Sequence, residues 1–144
     1  MKKKYTTQSS DETKAVAKEF AIKLKGGELV ELIGELGSGK TTFVQGLTAA
    51  FGYTDPVRSP TFSIMNVYES GKKRIIHLDF YRVEDEREVS MLGLEELVGK
   101  PDTIVIVEWP RNMIDHSRAS AIFSVQFKVI SESSREIEIK KESA

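Results

Sequence analysis

A loop at residues 34–41, with the sequence GELGSGKT, constrains the fold of this chain more than any other stretch. It fits the pattern G-x-x-x-x-G-K-[ST], in which glycines let the backbone turn tightly and approach phosphate oxygens that a Cβ atom would keep away. Backbone N–H groups from about Gly37 to Thr41 then point into one anion-binding concavity, and a helix that begins near Lys40 adds the positive end of its dipole. The pattern therefore predicts a nucleotide site, where Lys40 reaches the β- and γ-phosphates and the Thr41 hydroxyl binds Mg²⁺.

The residues on either side supply the context that this motif requires. Residues 28–33, ELVELI, are typical of a buried strand, and Phe43, Leu47 and Ala50 recur at helical spacing within residues 42–51. Strand, loop and helix in this order favour phosphate binding over a glycine-rich turn that binds nothing. We expect the nucleotide to contact the loop and the first turn of the helix, at Glu35, Leu36, Gly37, Ser38, Gly39, Lys40, Thr41 and Thr42.

The composition limits the class of protein. The 144 residues suit one ordinary domain with a substantial core, and 40% apolar with 30% charged residues is typical of a soluble globular protein. A net charge of −1 provides no overall attraction to nucleic acid or to an anionic membrane. The lack of cysteine excludes disulfides and cysteine-bound metals and fits a reducing cytosol. No apolar run follows the basic residues 1–4 and none approaches roughly 18 residues, so we expect a cytoplasmic protein without signal peptide or membrane span.

Periodicity predicts short helices on both sides of the loop. Residues 9–25 are expected to be helical, because Ser9 and Glu12 have capping-box spacing and an apolar stripe precedes Gly26. One or two further short helices are expected within residues 84–99.

The other regular segments are predicted strands: residues 61–68 and 74–80 as a hairpin around a turn at 69–72, residues 104–108, and a terminal hairpin of residues 121–130 and 135–140. The alternation in residues 137–140 indicates one solvated face, which is typical of an edge strand. The terminus from about residue 141 is expected to fray.

Two acidic residues compete for the second magnesium-site position. Phosphate sites of this kind place a carboxylate at the end of a buried strand beside the loop, where it holds a magnesium-bound water or orients the attacking water. Asp79 ends one predicted strand, and Glu108 ends residues 104–108, which read as a parallel strand buried on both faces. Both are candidates for catalytic and metal-binding roles, and which lies closer to Mg²⁺ stays open. His77 is expected to be a structural hydrogen-bonding residue rather than a base.

The loop before the predicted hairpin carries hydroxyl groups. Ser59 or Thr61 is a candidate to contact phosphate or Mg²⁺, as switch threonines do in other phosphate-loop proteins. The alternative is that Ser-Pro-Thr only enters the following strand. For Arg82 two alternatives also stay open: a contact with phosphate, or an ion pair with the acidic residues 84–86.

Four segments together resemble the bacterial TsaE family (formerly YjeE), small ATPases of the threonylcarbamoyladenosine tRNA-modification pathway. The segments have the order and spacing of that family, span residues 29–110, and belong to a chain of matching length. They are residues 34–46, Ser59-Pro60-Thr61-Phe62, His77-Leu78-Asp79-Phe80-Tyr81-Arg82, and Glu108-Trp109-Pro110.

The resemblance implies a fold and an activity. It implies an α/β, three-layer, P-loop NTPase-like domain over residues 1–144, whose mixed sheet has a parallel core and an antiparallel edge. It implies binding of Mg²⁺ with ATP or ADP, slow hydrolysis of ATP by the protein alone, and a functional partnership with the TsaB–TsaD pair. In that pair TsaD transfers the threonylcarbamoyl group to adenosine 37 of tRNA, and the ATPase is needed for turnover of the complex. Contact with tRNA itself would be indirect or weak.

The resemblance also implies roles for individual residues, although the chain departs from the family's usual sequence at a few positions. Lys40 would be a phosphate-binding and catalytic residue, Thr61 a switch residue, Asp79 and Glu108 catalytic and magnesium-site acids, and Trp109 a neighbour of the nucleotide. The family more often has Asp where Glu35 stands and Ala where Ser38 stands, which are mild changes because backbone N–H groups do the binding. Residues 111–120 lack the family's usual Leu-Pro pair, which leaves partner contacts there open.

Two other classes of function are compatible with the loop alone. A nucleoside kinase would need an acceptor pocket and usually an arginine-bearing lid, and no arginine-rich lid helix is predicted in this chain. A nucleotide-gated binding module would hydrolyse nothing appreciable. The presence of both acids favours hydrolysis over the second alternative.

Overall fold

A seven-stranded mixed sheet forms the centre of the computed structural model, which describes residues 1–71 and 73–142. The strand order is β1-β7-β6-β2-β5-β4-β3. The strands are β1 (Lys2–Thr7), β2 (Leu29–Ile33), β3 (Met65–Ser70), β4 (Lys73–Asp79), β5 (Thr103–Glu108), β6 (Ile122–Val129) and β7 (Arg135–Glu142). The helices are α1 (Ser10–Ala21), α2 (Lys40–Ala50) and α3 (Glu86–Ser90), with 3₁₀ turns at Leu94–Glu96 and His116–Arg118.

The middle of the sheet is parallel and its margins are antiparallel. β2 pairs in parallel with β5 and β6, and β4 pairs in parallel with β5. β3 pairs antiparallel with β4, and β7 pairs antiparallel with both β6 and β1. Every residue of β5 is buried, as its run of β-branched side chains predicts for a strand covered on both faces. The expected mixed sheet with a parallel core is confirmed.

Layers on both faces of the sheet bury two apolar clusters. The long helices α1 and α2 cover one face, and the opposite face is covered by α3, the 3₁₀ turn at Leu94–Glu96 and the loops beside them. The largest fully buried side chains of the first face include Phe43, Leu47, Ile104, Ile106 and Ile137. Those of the second face include Leu29, Ile76, Leu78 and Phe80. No helix in the described part of the chain is long and apolar enough to cross a membrane.

Helix α1 begins where the sequence predicts and ends earlier. The Ser9 hydroxyl accepts a hydrogen bond from the Glu12 N–H at 3.1 Å, and the Glu12 carboxylate accepts from the Gln8 N–H at 2.9 Å. The helix ends at Ala21 rather than at residue 25. From Ile22 onward the N–H groups bond to carbonyls three residues back, so the last turn tightens into 3₁₀ geometry.

Gly46 lets α2 approach α1 closely. A Cβ atom at this position would lie 2.6 Å from the Lys14 carbonyl oxygen and 3.0 Å from the Ala17 Cβ atom. The absence of a side chain in mid-helix, which by propensity costs about 1 kcal/mol relative to alanine, is therefore required by the packing of the two helices.

The edge of the sheet differs from the prediction. β7 is not an edge strand, because β1 pairs along its outer side from Lys2↔Lys140 to Thr7↔Arg135. The lysine-rich β1 has no apolar alternation that would predict a strand, and exposed lysines are typical of a protected edge. The predicted alternation itself is confirmed, since Ile137 and Ile139 are buried and Lys140 is exposed.

Two other segment boundaries need correction. β3 begins at Met65 and not at residue 61, because residues 61–63 form a turn and Ile64 has a φ of +69°. The turn predicted at residues 69–72 is shorter in the structure, since β3 runs to Ser70. Lys72, the last residue of that predicted turn, lies outside the described residues. β7 extends two residues beyond the predicted strand end at residue 140, into the segment expected to fray, because Glu142 pairs with Ile122; residues 143–144 lie outside the described residues.

Candidate nucleotide-binding site

The glycine-rich loop joins the end of β2 to the start of α2, as predicted. Gly37 and Gly39 have φ values of +76° and +106°, a region that other residues rarely adopt. Gly39 is the N-cap of α2 and provides no side-chain hydrogen bond to the first turn of the helix. The N–H groups at the start of α2 are therefore left for an anion to satisfy. The N–H of Ser38 donates to the Glu35 carbonyl at 3.1 Å, and its predicted contact with phosphate stays a prediction.

A cleft of about 620 Å³ opens beside this loop, a volume suited to a small-molecule ligand. Residues predicted for nucleotide, metal and catalytic roles line it together: Leu36, Gly37, Gly39, Lys40, Thr41, Thr42, Thr61, Asp79 and Glu108. Glu35, Ser38 and Trp109 lie outside its lining. Segments from distant parts of the sequence thus meet around one space.

Lys40 is held in place on two sides. Its Nζ atom donates a hydrogen bond to the Gly34 carbonyl at 2.6 Å and lies 4.0 Å from the centre of the Trp109 ring. Burial lowers the pKa of Lys40, and the negative charges of Glu108 and Asp79 oppose that shift. The side chain is a buried cation that contacts a carbonyl and an aromatic face, with two carboxylates in the same cleft.

Asp79 ends β4 and fixes the Ser-Pro-Thr segment. Its Oδ2 atom accepts hydrogen bonds from the Thr61 hydroxyl at 2.9 Å and the Ser59 hydroxyl at 3.4 Å, and its Oδ1 atom accepts from the Tyr81 N–H at 2.8 Å. The two hydroxyls lie 2.7 Å apart. Ser-Pro-Thr therefore does not simply enter a strand, because residues 61–63 form a turn and the hydroxyls of Ser59 and Thr61 bond the acid at the end of β4.

Glu108 ends β5 and lies directly beside Asp79, since the two acids are register partners in the parallel β4–β5 pair. Its Oε2 atom accepts a hydrogen bond from His77 Nε2 at 2.6 Å. On the other side of the ring, His77 Nδ1 lies 3.2 Å from the Tyr68 hydroxyl. His77 is hydrogen-bonded on both sides of its ring, as the sequence predicts.

Trp109 follows Glu108 in a strained conformation. Its φ of +53° is uncommon for a bulky residue, and such strain is often found at functional sites. The indole packs against Tyr81 with ring centroids 4.9 Å apart, and its buried Nε1 atom has no hydrogen-bond partner within the described residues. Trp109 thus lies next to Lys40 and the loop, although it does not line the cleft.

The donors around the cleft fit magnesium bound together with a nucleotide. The Thr41 hydroxyl and the Asp79 and Glu108 carboxylates are hard oxygen ligands of the kind that Mg²⁺ prefers. Across residues 1–71 and 73–142, no three histidine, cysteine or acidic side chains gather into a metal site. Mg²⁺ commonly takes one or two carboxylates and completes its shell with phosphate oxygens and waters, so this sparse donor set suits it.

The structure adds residues that sequence reasoning missed. Ser9, Ser10 and Thr13 at the start of α1, with Glu132, Ser133 and Arg135 at the β6–β7 turn, also line the cleft. Arg135 donates hydrogen bonds to the Gly37 carbonyl at 3.2 Å and to the Ser131 carbonyl at 2.8 Å. These residues carry no recognisable motif, and only the sheet topology brings them to the loop. The Arg82 guanidinium lies over the Phe62 ring at 4.4 Å and forms no ion pair with residues 84–86 within the described residues, so of the two alternatives the phosphate contact stays a prediction.

Comparisons with known proteins agree with this arrangement. A family model described as "Threonylcarbamoyl adenosine biosynthesis protein TsaE" matches residues 7–137. The tRNA threonylcarbamoyladenosine biosynthesis protein TsaE of Bacillus subtilis (strain 168) is 38% identical over 134 residues, which are 93% of this chain and 82% of that protein. Its counterpart in Aquifex aeolicus (strain VF5) is 42% identical over 109 residues, which are 74% of this chain and 76% of that protein.

A solved structure gives the same result for the fold. The crystal structure of Bacillus subtilis YdiB superposes with a TM-score of 0.78 at 30% sequence identity, covering 99% of this chain and 87% of that one. The matches in sequence and in structure both extend far beyond the glycine-rich loop. The chain belongs to the TsaE family, whose role lies in tRNA threonylcarbamoyladenosine biosynthesis.

Proposed function

We propose that this protein is a magnesium-dependent ATPase that binds ATP or ADP in the cleft and hydrolyses ATP slowly on its own. Its nucleotide cycle would drive turnover of the TsaB–TsaD complex during threonylcarbamoylation of adenosine 37 in tRNA. This role would place the protein in the cytoplasm. The observation that carries the proposal is that Lys40, Thr41, Asp79 and Glu108 line one cleft at the start of α2. Family membership supports the pathway.

The phosphates would lie at the start of α2. There the N–H groups at the start of the helix and the Lys40 ammonium provide donors for the β- and γ-phosphates. Lys40 would exchange its bond to the Gly34 carbonyl for a phosphate oxygen, and Trp109 would keep the ammonium on its ring face during that exchange. Bound Mg²⁺, held by Thr41 and the acids, would neutralise charge on the phosphates.

The two acids have different surroundings and would do different work. Both oxygens of Asp79 already accept hydrogen bonds, from Thr61 and from the Tyr81 N–H. Asp79 therefore suits the role of linking the magnesium shell to the Ser59–Thr61 segment. Glu108 has its Oε2 atom fixed by His77 and faces the cleft, which suits the acid that orients the attacking water.

The kinase alternative finds less support. A second cleft, of about 350 Å³, lies between α3 and residues 112–118, with an apolar floor that includes Val89, Leu94 and Val98. It shares no lining residue with the nucleotide cleft, so a molecule bound there would not receive a phosphoryl group from Lys40 and the acids.

The proposal can be tested by nucleotide titration and by an acceptor screen. Trp109 is the only tryptophan and lies against Lys40, so its fluorescence is expected to change as ATP or ADP saturates the site, with tighter binding in the presence of Mg²⁺. With labelled ATP, the label is expected in inorganic phosphate. Sustained transfer of label to a nucleoside would favour the kinase, and the absence of any saturable nucleotide binding would contradict the proposal as a whole.

A further inference from the structure

A buried chain of hydrogen bonds runs from Glu108 to the loop that precedes β3. His77 Nε2 donates to Glu108 Oε2 at 2.6 Å, and Nδ1 of the same ring lies 3.2 Å from the Tyr68 hydroxyl. The Tyr68 hydroxyl in turn lies 3.2 Å from the Arg58 carbonyl, to which Asn66 Nδ2 also donates. His77 has no exposed surface, and Tyr68 and Glu108 are almost fully buried.

Counting hydrogens along this chain limits which nitrogens of the histidine ring carry a hydrogen. The Tyr68 hydroxyl carries one hydrogen and has two acceptors in reach, His77 Nδ1 and the Arg58 carbonyl. Burial raises the pKa of Tyr68 above its ordinary value, so the phenol keeps that hydrogen. When the phenol donates to His77 Nδ1, Nε2 carries the hydrogen that bonds the Glu108 carboxylate; when the phenol donates to the Arg58 carbonyl, both ring nitrogens must carry a hydrogen to keep both contacts. The ring is therefore held between two partners and holds one oxygen of Glu108 in turn.

The same loop is tied to the second acid. Arg58 is followed by Ser59 and Thr61, whose hydroxyls donate to Asp79 Oδ2. The segment of residues 58–61, named here the tethered segment, is thus connected to Glu108 through His77 and Tyr68 and to Asp79 directly. Because the two acids are register partners at the ends of β4 and β5, both connections start from adjacent points of the sheet.

We propose that His77 and Tyr68 are positioning residues that orient the Glu108 carboxylate and couple the state of the nucleotide cleft to the backbone of the tethered segment. The proposal rests on the function proposed above for Glu108. A group that binds at Glu108 or Asp79 competes for carboxylate oxygens that now hold the tethered segment, so the occupancy of the cleft and the position of that segment depend on each other. Ile64, three residues beyond it, has a φ of +69°, which is strained for a β-branched residue.

The alternative is that the chain only satisfies buried polar groups. A purely structural role predicts that substitutions lower the melting temperature and leave the catalytic constant of folded protein unchanged. A positioning role predicts a lower kcat with retained nucleotide affinity, together with a looser tethered segment. The two roles therefore differ in measurable quantities other than stability.

Four variants separate these roles. Tyr68→Phe removes one hydroxyl group from the chain and leaves the ring in place. Ser70→Ala is its matched control, because Ser70 lies two residues further along β3 and its hydroxyl donates to the Phe51 carbonyl at 2.8 Å, outside the chain. His77→Gln retains an N–H near the position of Nε2, whereas His77→Asn retains one only near Nδ1.

The measurements are amide hydrogen exchange of a peptide covering residues 57–66 in nucleotide-free protein, nucleotide affinity by calorimetry, and kcat. In this peptide we expect the amide hydrogens of Tyr68→Phe to exchange several-fold faster than those of the unmodified protein, and those of Ser70→Ala to exchange at the unmodified rate. The hydrogen bond from Asn66 to the Arg58 carbonyl remains in Tyr68→Phe and limits the size of the effect. For His77→Asn we expect kcat to fall about 10- to 100-fold with affinity nearly unchanged, and His77→Gln to recover part of that loss.

Equal exchange in Tyr68→Phe and Ser70→Ala would overturn the coupling, whatever the histidine variants do. Loss of kcat in His77→Asn without recovery in His77→Gln, and with a matching loss of nucleotide affinity, would overturn the positioning of Glu108. Failure of the function proposed above is distinguishable, because a protein that hydrolyses no ATP still reports on the tethered segment through exchange in the nucleotide-free state.

Discussion

At the scale of single residues, the site brings one buried cation and two buried carboxylates into the same cleft. Lys40 has only 5% of its surface exposed, and both Asp79 and Glu108 are buried in the same cleft. Removing one member of such a cluster leaves its partners uncompensated, so effects on stability and on function must be measured separately. Conservative substitutions are for this reason more informative than truncations at the two acids.

The first prediction concerns Lys40→Ala. We expect the affinity for ATP to fall about tenfold or more, because a charge-assisted contact with the phosphates is lost. Calorimetric titration measures this, with Lys128→Ala, an exposed lysine outside the cleft, as the control. Unchanged affinity and turnover in Lys40→Ala would mean that the loop does not bind the phosphates.

The second prediction concerns the acids. Asp79→Asn and Glu108→Gln are each expected to lower kcat by about 10²-fold or more, with a much smaller effect on nucleotide affinity, because positioning and charge act most strongly in the transition state. Single-turnover hydrolysis beside equilibrium titration separates the two quantities. If only one substitution has this effect, the other acid is structural.

At the scale of helices and strands, packing sometimes opposes local propensity. By propensity alone, Gly46→Ala should stabilise α2 by about 1 kcal/mol. The added Cβ atom would however meet the backbone of α1 at Lys14, at distances below van der Waals contact.

We therefore predict that Gly46→Ala lowers the free energy of unfolding by about 1–3 kcal/mol, as overpacking of a close helix contact does. Urea denaturation measures it. Ala49→Gly removes a methyl group from the exposed side of the same helix and should cost only about 1 kcal/mol. A more stable Gly46→Ala variant would show that α1 can move away at little cost.

The elements that the sequence predicted well are those with a strong local pattern. The strand–loop–helix unit at the glycine-rich loop, the parallel β5 and the short helices of residues 84–99 all follow from periodicity and turn chemistry. The sequence does not predict β1, because a run of lysines on an edge strand has no apolar face to detect. Without β1, the sequence predicts β7 as the edge. It also predicts too early a start for β3, because the bond between Thr61 and Asp79 joins residues far apart in sequence.

At the scale of the whole molecule, the cleft is built from regions far apart in sequence. Its walls combine the start of α1, the glycine-rich loop, the ends of β4 and β5, and the β6–β7 turn. Asp79 and Glu108 could be predicted as site residues because acids at strand ends beside such a loop have a chemical rationale. Arg135 could not, because 98 residues separate it from the Gly37 carbonyl that it bonds, and only the pairing of β7 with β6 brings it there.

The fourth prediction concerns this long-range contact. Arg135→Gln is expected to weaken nucleotide binding several-fold and to lower the melting temperature, because the guanidinium joins the β6–β7 turn to the glycine-rich loop. Thermal denaturation with and without ADP measures both effects. If ADP raises the melting temperature of the variant and of the unmodified protein by the same amount, Arg135 supports the β6–β7 turn and does not contribute to nucleotide binding.

The most direct test of the central claim is ATP hydrolysis by this protein alone and with TsaB and TsaD from the same source. We expect slow release of phosphate by the protein alone, acceleration by the pair, and loss of both in Lys40→Ala. If adding TsaB and TsaD neither accelerates hydrolysis nor forms a complex with the protein, the claim of a partner-dependent ATPase is contradicted.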